Sequence, residues 1–172
     1  DLALCENLDV VQNMFLGRER LRGIVLNEES MELAARDTLS SLSVRTLRSV
    51  RQRVSSLSGG QRQTVAIAKA ALWQSKLVIL DEPTAALGVA QTAQVLELVR
   101  RLADQGVAVI LISHNMLDVL QVADKIAALY LGQMAAIVDR KDVNQTQVVE
   151  LITSGHTGNI GLRPQETVGA PK

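Results

Sequence analysis

The spacing of apolar positions changes near residue 57, and with it the expected architecture. Before that point Leu8, Val11, Met14 and Phe15 recur at three- and four-residue intervals within residues 7–16. Met31, Ala34, Ala35, Leu39 and Leu42 do the same within residues 30–42. A period near 3.6 gathers such residues on one face, so both stretches are expected to be helices. Residues 44–54 set Arg45, Arg48, Arg51 and Arg53 among few large apolar side chains, the texture of a solvated helical face. After residue 57 come a Gly-containing turn, an Ala-rich helix over 65–73, an apolar run 77–80, a further helix and a second apolar run 107–112. Alternation of this kind predicts a βαβ unit and a parallel sheet. Val89, Ala93, Leu96, Val99 and Ala103 form one stripe on the intervening helix, and Gly106 closes it. Runs 126–131 and 134–138 flank Gly132-Gln133 and read as a hairpin. From residue 154 onward Gly155, Gly158, Gly161, Pro164, Gly169 and Pro171 leave little to bury. The expected organisation is a helical subdomain over 1–56, an α/β subdomain over 57–153 and a disordered tail over 154–172, with no internal repeat.

At 172 residues and 47% hydrophobic, the chain fits a globular domain with a lobe attached. Lys plus Arg is 18 and Asp plus Glu is 18, so no net field draws it to nucleic acid or to an anionic surface. Any phosphate it binds is held by local geometry. The single Cys5 rules out an internal disulfide, suits a reducing compartment and reads as an inert thiol. The apolar runs fall far short of the ~20 residues of a membrane-spanning helix. The N-terminus, Asp-Leu-Ala-Leu-Cys-Glu, has no basic segment ahead of an apolar one and so does not read as a signal peptide. It also lacks an initiator Met, and a truncated piece is expected.

Three places carry candidate chemistry. The run 77–80 ends in Asp81-Glu82, and ligands of parallel α/β sheets bind beyond the carboxyl ends of the strands. One carboxylate there can hold Mg²⁺ while its neighbour faces a hydrolytic water; the alternative is a pair of exposed acids ahead of a Pro83 turn. The run 107–112 ends in Ser113-His114, which a right-handed crossover places on the same sheet edge. An imidazole there can contact a phosphate or position a water, or simply cap the next helix. Finally, Leu57-Ser58-Gly59-Gly60-Gln61 runs into the Ala-rich helix. Two glycines, a hydroxyl and a helix N-terminus together suit an anion, although a Ser-Gly-Gly turn also serves as a plain N-cap.

In this order and spacing, the motifs resemble those of ATP-binding-cassette ATPases. Residues 57–61 look like the Leu-Ser-Gly-Gly-Gln signature, and residues 77–82 are similar to the Walker B strand with its catalytic glutamate. The resemblance implies an α/β fold, a P-loop NTPase-like parallel sheet lobe with a small helical lobe, and ATP and Mg²⁺ as ligands. It further implies that Ser58, Gly59, Gly60 and Gln61 meet ATP held by an opposite subunit, that Asp81 serves Mg²⁺, that Glu82 polarises the attacking water, and that His114 contacts the γ-phosphate. Residues 81–92 and 7–19 look like bacterial importers of ribose, xylose or fructose. That subgroup implies a second nucleotide-binding subunit, membrane-spanning permease subunits and, indirectly, a sugar-binding protein as partners, at the cytoplasmic face of the inner membrane.

Two features depart from the family pattern. Gly88 stands where the D-loop usually has Asp, a change the sugar-importer subgroup shares. No Gly-x-x-x-x-Gly-Lys-Ser/Thr occurs among the 172 residues, so the phosphate loop and its strand are expected upstream of Asp1 and the sheet is expected to be incomplete. A non-transport cassette ATPase of repair or translation, and an inert dimerising cassette, are the rival readings. The first lacks its expected coiled-coil or tandem features here, and the second sits poorly with an intact Glu82 and His114.

Overall fold

The structure, a computed structural model, describes residues 4–162. It comprises two compact units that divide between Ile112 and Ser113.

In the first unit, helix α1 (Val10–Phe15) starts where Asp9 accepts the Gln12 N–H at 2.7 Å and Gln12 accepts the Asp9 N–H at 3.0 Å, a reciprocal cap. A short hairpin, β1 (Leu21–Arg22) with β2 (Val25–Leu26), leads to α2 (Glu28–Ser41), which Asn27 caps. Next come α3 (Gly59–Leu72), β3 (Leu77–Asp81), α4 (Val89–Asp104) and β4 (Ala108–Ile112). β3 and β4 pair in parallel from Leu77↔Ala108 to Asp81↔Ile112, the expected βαβ unit.

Met14 and Phe15 of α1, Ala35 and Leu39 of α2, Val65 and Ala68 of α3, Val95 and Leu102 of α4 and Val78 and Leu80 of β3 lie in one continuous core. It runs straight across residue 56. The expected subdomain boundary is therefore no break in packing, because α3 buries its apolar face against α1 and α2 as well as α4. At the far end of α3, the Trp73 indole N–H donates to the Met14 carbonyl at 3.0 Å, and its ring meets Phe15 edge-on at 5.4 Å.

Two local expectations need correction. Residues 44–53 are not a helix, and Arg51 is not merely solvated: its guanidinium reaches Glu32 at 2.7 Å, Glu28 at 3.1 Å and Asp9 at 3.5 Å. Val50 beside it is buried. On α4 the buried arc is Val95, Leu96, Leu98, Val99 and Leu102, while Val89 is 91% exposed and Ala93 and Ala103 face water. Large side chains gain most from burial, so they set the rotation of the helix and the alanines follow. The sheet is also lopsided. Val78 and Leu80 are buried, whereas Leu77, Ile79, Ile110 and Ile112 on the other face are between 48% and 60% exposed.

In the second unit, α5 (Met116–Val122) precedes an antiparallel hairpin of β5 (Lys125–Tyr130) and β6 (Gln133–Asp139). β5 and β4 thus belong to different sheets. The hairpin loop is Leu131-Gly132, one residue earlier than expected, with φ 47° and 78° as a type I′ turn requires. Helix α6 (Gln145–Ser154) ends on Gly155 at φ 80°, followed by β7 (His156–Thr157) paired with β8 (Ile160–Gly161). Residues 154–162 are therefore folded, not a disordered tail. Their glycines supply the positive φ that a tight turn needs, and Thr157 is buried beside α6. Residues 163–172 of the expected tail lie outside the described residues. No helix among the described residues is long and apolar enough to cross a membrane.

The Arg51 cluster generates a pH-dependent prediction. Hydrogen bonds from Arg36 and then Arg51 hold the Glu32 carboxyl below its usual range. A depressed carboxyl stabilises the fold above its unfolded pKa, and that stabilisation is lost as pH falls through the folded value. Thermal unfolding at pH 7 should therefore show Glu32→Gln melting below wild type, and the difference should shrink as pH falls below the usual glutamate range.

Candidate nucleotide site

The turn that opens α3 is braced from several sides. Ser58 is its N-cap: the hydroxyl accepts the Gln61 N–H at 3.3 Å, and the Ser58 N–H donates to the Gln61 carboxamide oxygen at 2.9 Å. The other end of that carboxamide donates to the Thr46 carbonyl at 2.6 Å. Gln61 thus has both ends committed to backbone. Arg62 holds the same turn from behind, donating to the carbonyls of Leu57 and Ser55 and pairing with Glu6 at 2.8 Å. Ser58 and Gly59 face solvent while Leu57 and Gly60 are buried. The two readings of this turn are therefore compatible. Ser58 does cap the helix, and the first N–H groups of a 14-residue helix still project at its exposed start, where partial positive charge favours an anion.

The carboxylates stand at the end of β3. Asp81 is the last strand residue and is exposed; Glu82 is partly buried, and its N–H extends the ladder to the Ile112 carbonyl at 2.9 Å. Glu82 then turns the chain sharply with φ 47°, a left-handed conformation that is strained for a residue with a side chain. Ala86, at φ 59°, repeats the strain four residues later. Between them the Ala85 N–H bonds the Glu82 carbonyl at 3.1 Å and the Leu87 N–H bonds the Thr84 carbonyl at 3.3 Å. Left-handed backbone at a residue with a side chain persists only where its surroundings hold it, and it recurs in this chain at Ser43, Gln74 and Leu131.

Among the described residues no group of three or more His, Cys, Asp and Glu could hold a metal ion. The donor set at the strand end still fits Mg²⁺, which keeps several waters and takes one or two carboxylates together with substrate phosphate oxygens. A metal bound without nucleotide does not fit it.

His114, the second residue of the second unit, is exposed. It does not cap α5. That role belongs to Asn115, whose side chain accepts the Leu117 N–H at 3.1 Å, while the Asn115 N–H donates to the Ser113 hydroxyl at 3.0 Å.

The sequence reading missed the residues against which the glycines sit. A Cβ on Gly60 would lie 3.1 Å from Gln91 Cβ, and one on Gly59 would lie 3.4 Å from Leu87 Cδ2. The only available signal was the Gly88-x-x-Gln91 spacing at a helix start, which matches the Ser58-x-x-Gln61 spacing of the signature.

A family model described as ABC transporter matches residues 2–85. A fructose import ATP-binding protein of Rhizobium meliloti is 45% identical over 160 residues, covering 89% of this chain and 62% of that protein. A xylose/arabinose import ATP-binding protein of Sulfolobus acidocaldarius is 38% identical over 162 residues, covering 94% of the chain and 64% of that protein. Among solved structures, an ABC transporter in an inward-facing conformation superposes with a TM-score of 0.71 at 26% identity, over 87% of this chain and 59% of that one. The chain spans about three fifths of the length of these relatives. Its α/β fold is accordingly P-loop NTPase-like, and by its signature turn, its strand-end carboxylates and these matches the chain belongs to the ABC transporter family of ATP-binding proteins.

Proposed function

We propose that the chain is the signature-bearing and water-activating part of an ATPase that energises a bacterial sugar importer. The observation that carries this reading is the signature turn. Ser58 and Gly59 are exposed at the start of a 14-residue helix, and Gln61, Arg62 and Thr46 fix that start in place. A preorganised, outward-facing cluster of N–H donors suits a phosphate presented by another subunit, since little of its geometry must be reorganised on binding. The sugar assignment rests on relatives named for the import of fructose, xylose/arabinose and ribose.

In this reading Asp81 holds Mg²⁺, which neutralises charge on the phosphate oxygens when bound. Glu82 orients a water and takes its proton as the water oxygen attacks the γ-phosphorus; the bond to the β–γ bridging oxygen breaks, and ADP and phosphate leave. His114 contacts the γ-phosphate, and Ser58, Gly59 and Gly60 close over that phosphate from the opposite subunit, with Gln61 bracing them. The 172 residues contain no phosphate loop, so alone they are expected to turn over no MgATP. The partners are a second nucleotide-binding subunit or domain and the permease subunits, with a sugar-binding protein acting through the latter, at the cytoplasmic face of the membrane.

Two substitutions in the full-length protein test these roles. Glu82→Gln should leave ATP binding intact while lowering hydrolysis at least ~10²-fold, the usual contribution of a general base, and should accumulate an ATP-bound dimer. Loss of nucleotide binding instead would assign Glu82 a structural role. Ser58→Arg should bind ATP as a monomer yet fail to shift to the dimer position in size-exclusion chromatography with ATP. A dimer peak identical to wild type would sink the assignment of the signature to the opposite subunit's nucleotide.

A further inference from the structure

Between the strained turn after β3 and the signature lies one side chain that touches both. Gly88, at φ −73° and ψ 161°, is the N-cap of α4 but has no side chain to accept an N–H from the first helical turn. Half of the usual reciprocal cap is therefore absent. The other half is present: the Gly88 N–H donates to the Gln91 carboxamide oxygen at 2.9 Å. The same side chain lies against the signature by its stem. A Cβ built on Gly60 would sit 3.1 Å from Gln91 Cβ and 3.2 Å from its Cγ, closer than nine in ten real Cβ contacts. Leu87, next to Gly88, lies beside Gly59 more loosely: a Cβ there would meet its Cδ2 at 3.4 Å, an ordinary van der Waals contact.

We propose that Gln91 is a positioning residue that ties the signature glycines to the turn following Glu82: its carboxamide caps the Gly88 end of that turn, and its methylene stem seats Gly60. The proposal rests on the ATPase reading above and extends it to Gly88, the position where the family's usual acid is missing. The turn from Glu82 to Gly88 holds two non-glycine residues in the left-handed region, at Glu82 and Ala86, and such conformations persist only where their surroundings over-determine them. One end of the turn is held by the Glu82 N–H bond to Ile112, and the Gln91 carboxamide holds the other. A chain that lost the carboxamide would keep α4 but free the turn to relax. A chain that lost the stem would leave Gly60 without the surface it rests on. Glu82 is assigned to the nucleotide of its own subunit and the signature to that of the opposite one, so Gln91 stands between elements of the two sites.

The experiment is steady-state MgATP hydrolysis by the full-length protein carrying Gln91→Ala, Gln91→Leu or Gln91→Glu, with thermal melts of each. Small displacements of catalytic groups cost up to ~10²-fold, so Gln91→Ala should lower kcat about tenfold or more while KM for ATP stays within about twofold. Gln91→Glu keeps both stem and acceptor, and its charge suits a helix N-terminus, so it should retain kcat within about twofold of wild type. Gln91→Leu keeps a stem of similar size without the acceptor and should fall below Gln91→Glu. Should Gln91→Ala fail to fold, the Leu and Glu pair decides the matter, because both keep a stem and only Glu keeps an acceptor. Equal kcat in all three variants, or equal loss in Leu and Glu, overturns the proposal. Failure of the underlying reading would look different: the wild-type protein itself would show no hydrolysis sensitive to Glu82→Gln.

Discussion

The close approach of the start of α3 to the start of α4 ties together the two turns that carry the candidate site. Gly60 sits where even a methyl group would press on Gln91, and Gly59 rests against Leu87. At Gly60 space rather than conformation favours glycine, since a Cβ would press on Gln91 and φ is not positive, whereas a Cβ on Gly59 would make only an ordinary van der Waals contact with Leu87. Close approach brings the signature turn and the strained turn after Glu82 into one packed assembly within a single chain. Below that contact α3 is anchored along its whole length, by Val65 and Ala68 in the core and by Trp73 against Met14 and Phe15 at its end. The N–H groups at its exposed start are thereby held in one direction, which an anion site needs more than it needs charge.

Legibility followed the size of the physical signal. Helices α2, α3 and α4 and strands β3 and β4 were readable because each carries a long run or stripe of apolar residues. The side chain that braces each turn was not, because a capping contact is made by one polar residue and leaves no periodic trace. Ser58 and Gln61 were recognisable by motif, but nothing short of coordinates shows that the Gln61 carboxamide is spent on Thr46 and Ser58. Arg51 illustrates the same limit. Among the other arginines of residues 44–54 it looked like solvated charge, yet it gathers three carboxylates from α2 and the α1 cap. The glycines after residue 154 misled in the opposite direction. Composition counted them as disorder, whereas Gly155 terminates α6 and Gly158 and Gly161 shape the β7–β8 turn.

A last consequence concerns the carboxylates. Parallel sheets are ordinarily covered on both faces, and a two-stranded sheet gains independent stability only from what packs against it. Here β3 and β4 are covered on the side of Val78 and Leu80, while Leu77, Ile79, Ile110 and Ile112 remain substantially open on the other. Asp81 and Glu82 are braced on the α4 side by the crossover that links the two strands and by the turn that Gly88 and Gln91 close, and at the strand end by the Glu82 N–H bond to the Ile112 carbonyl. In this unit the turn at the end of β3 and the turn at the start of α3 meet where α4 begins, at Gln91 and Leu87, so a substitution there bears on both turns at once.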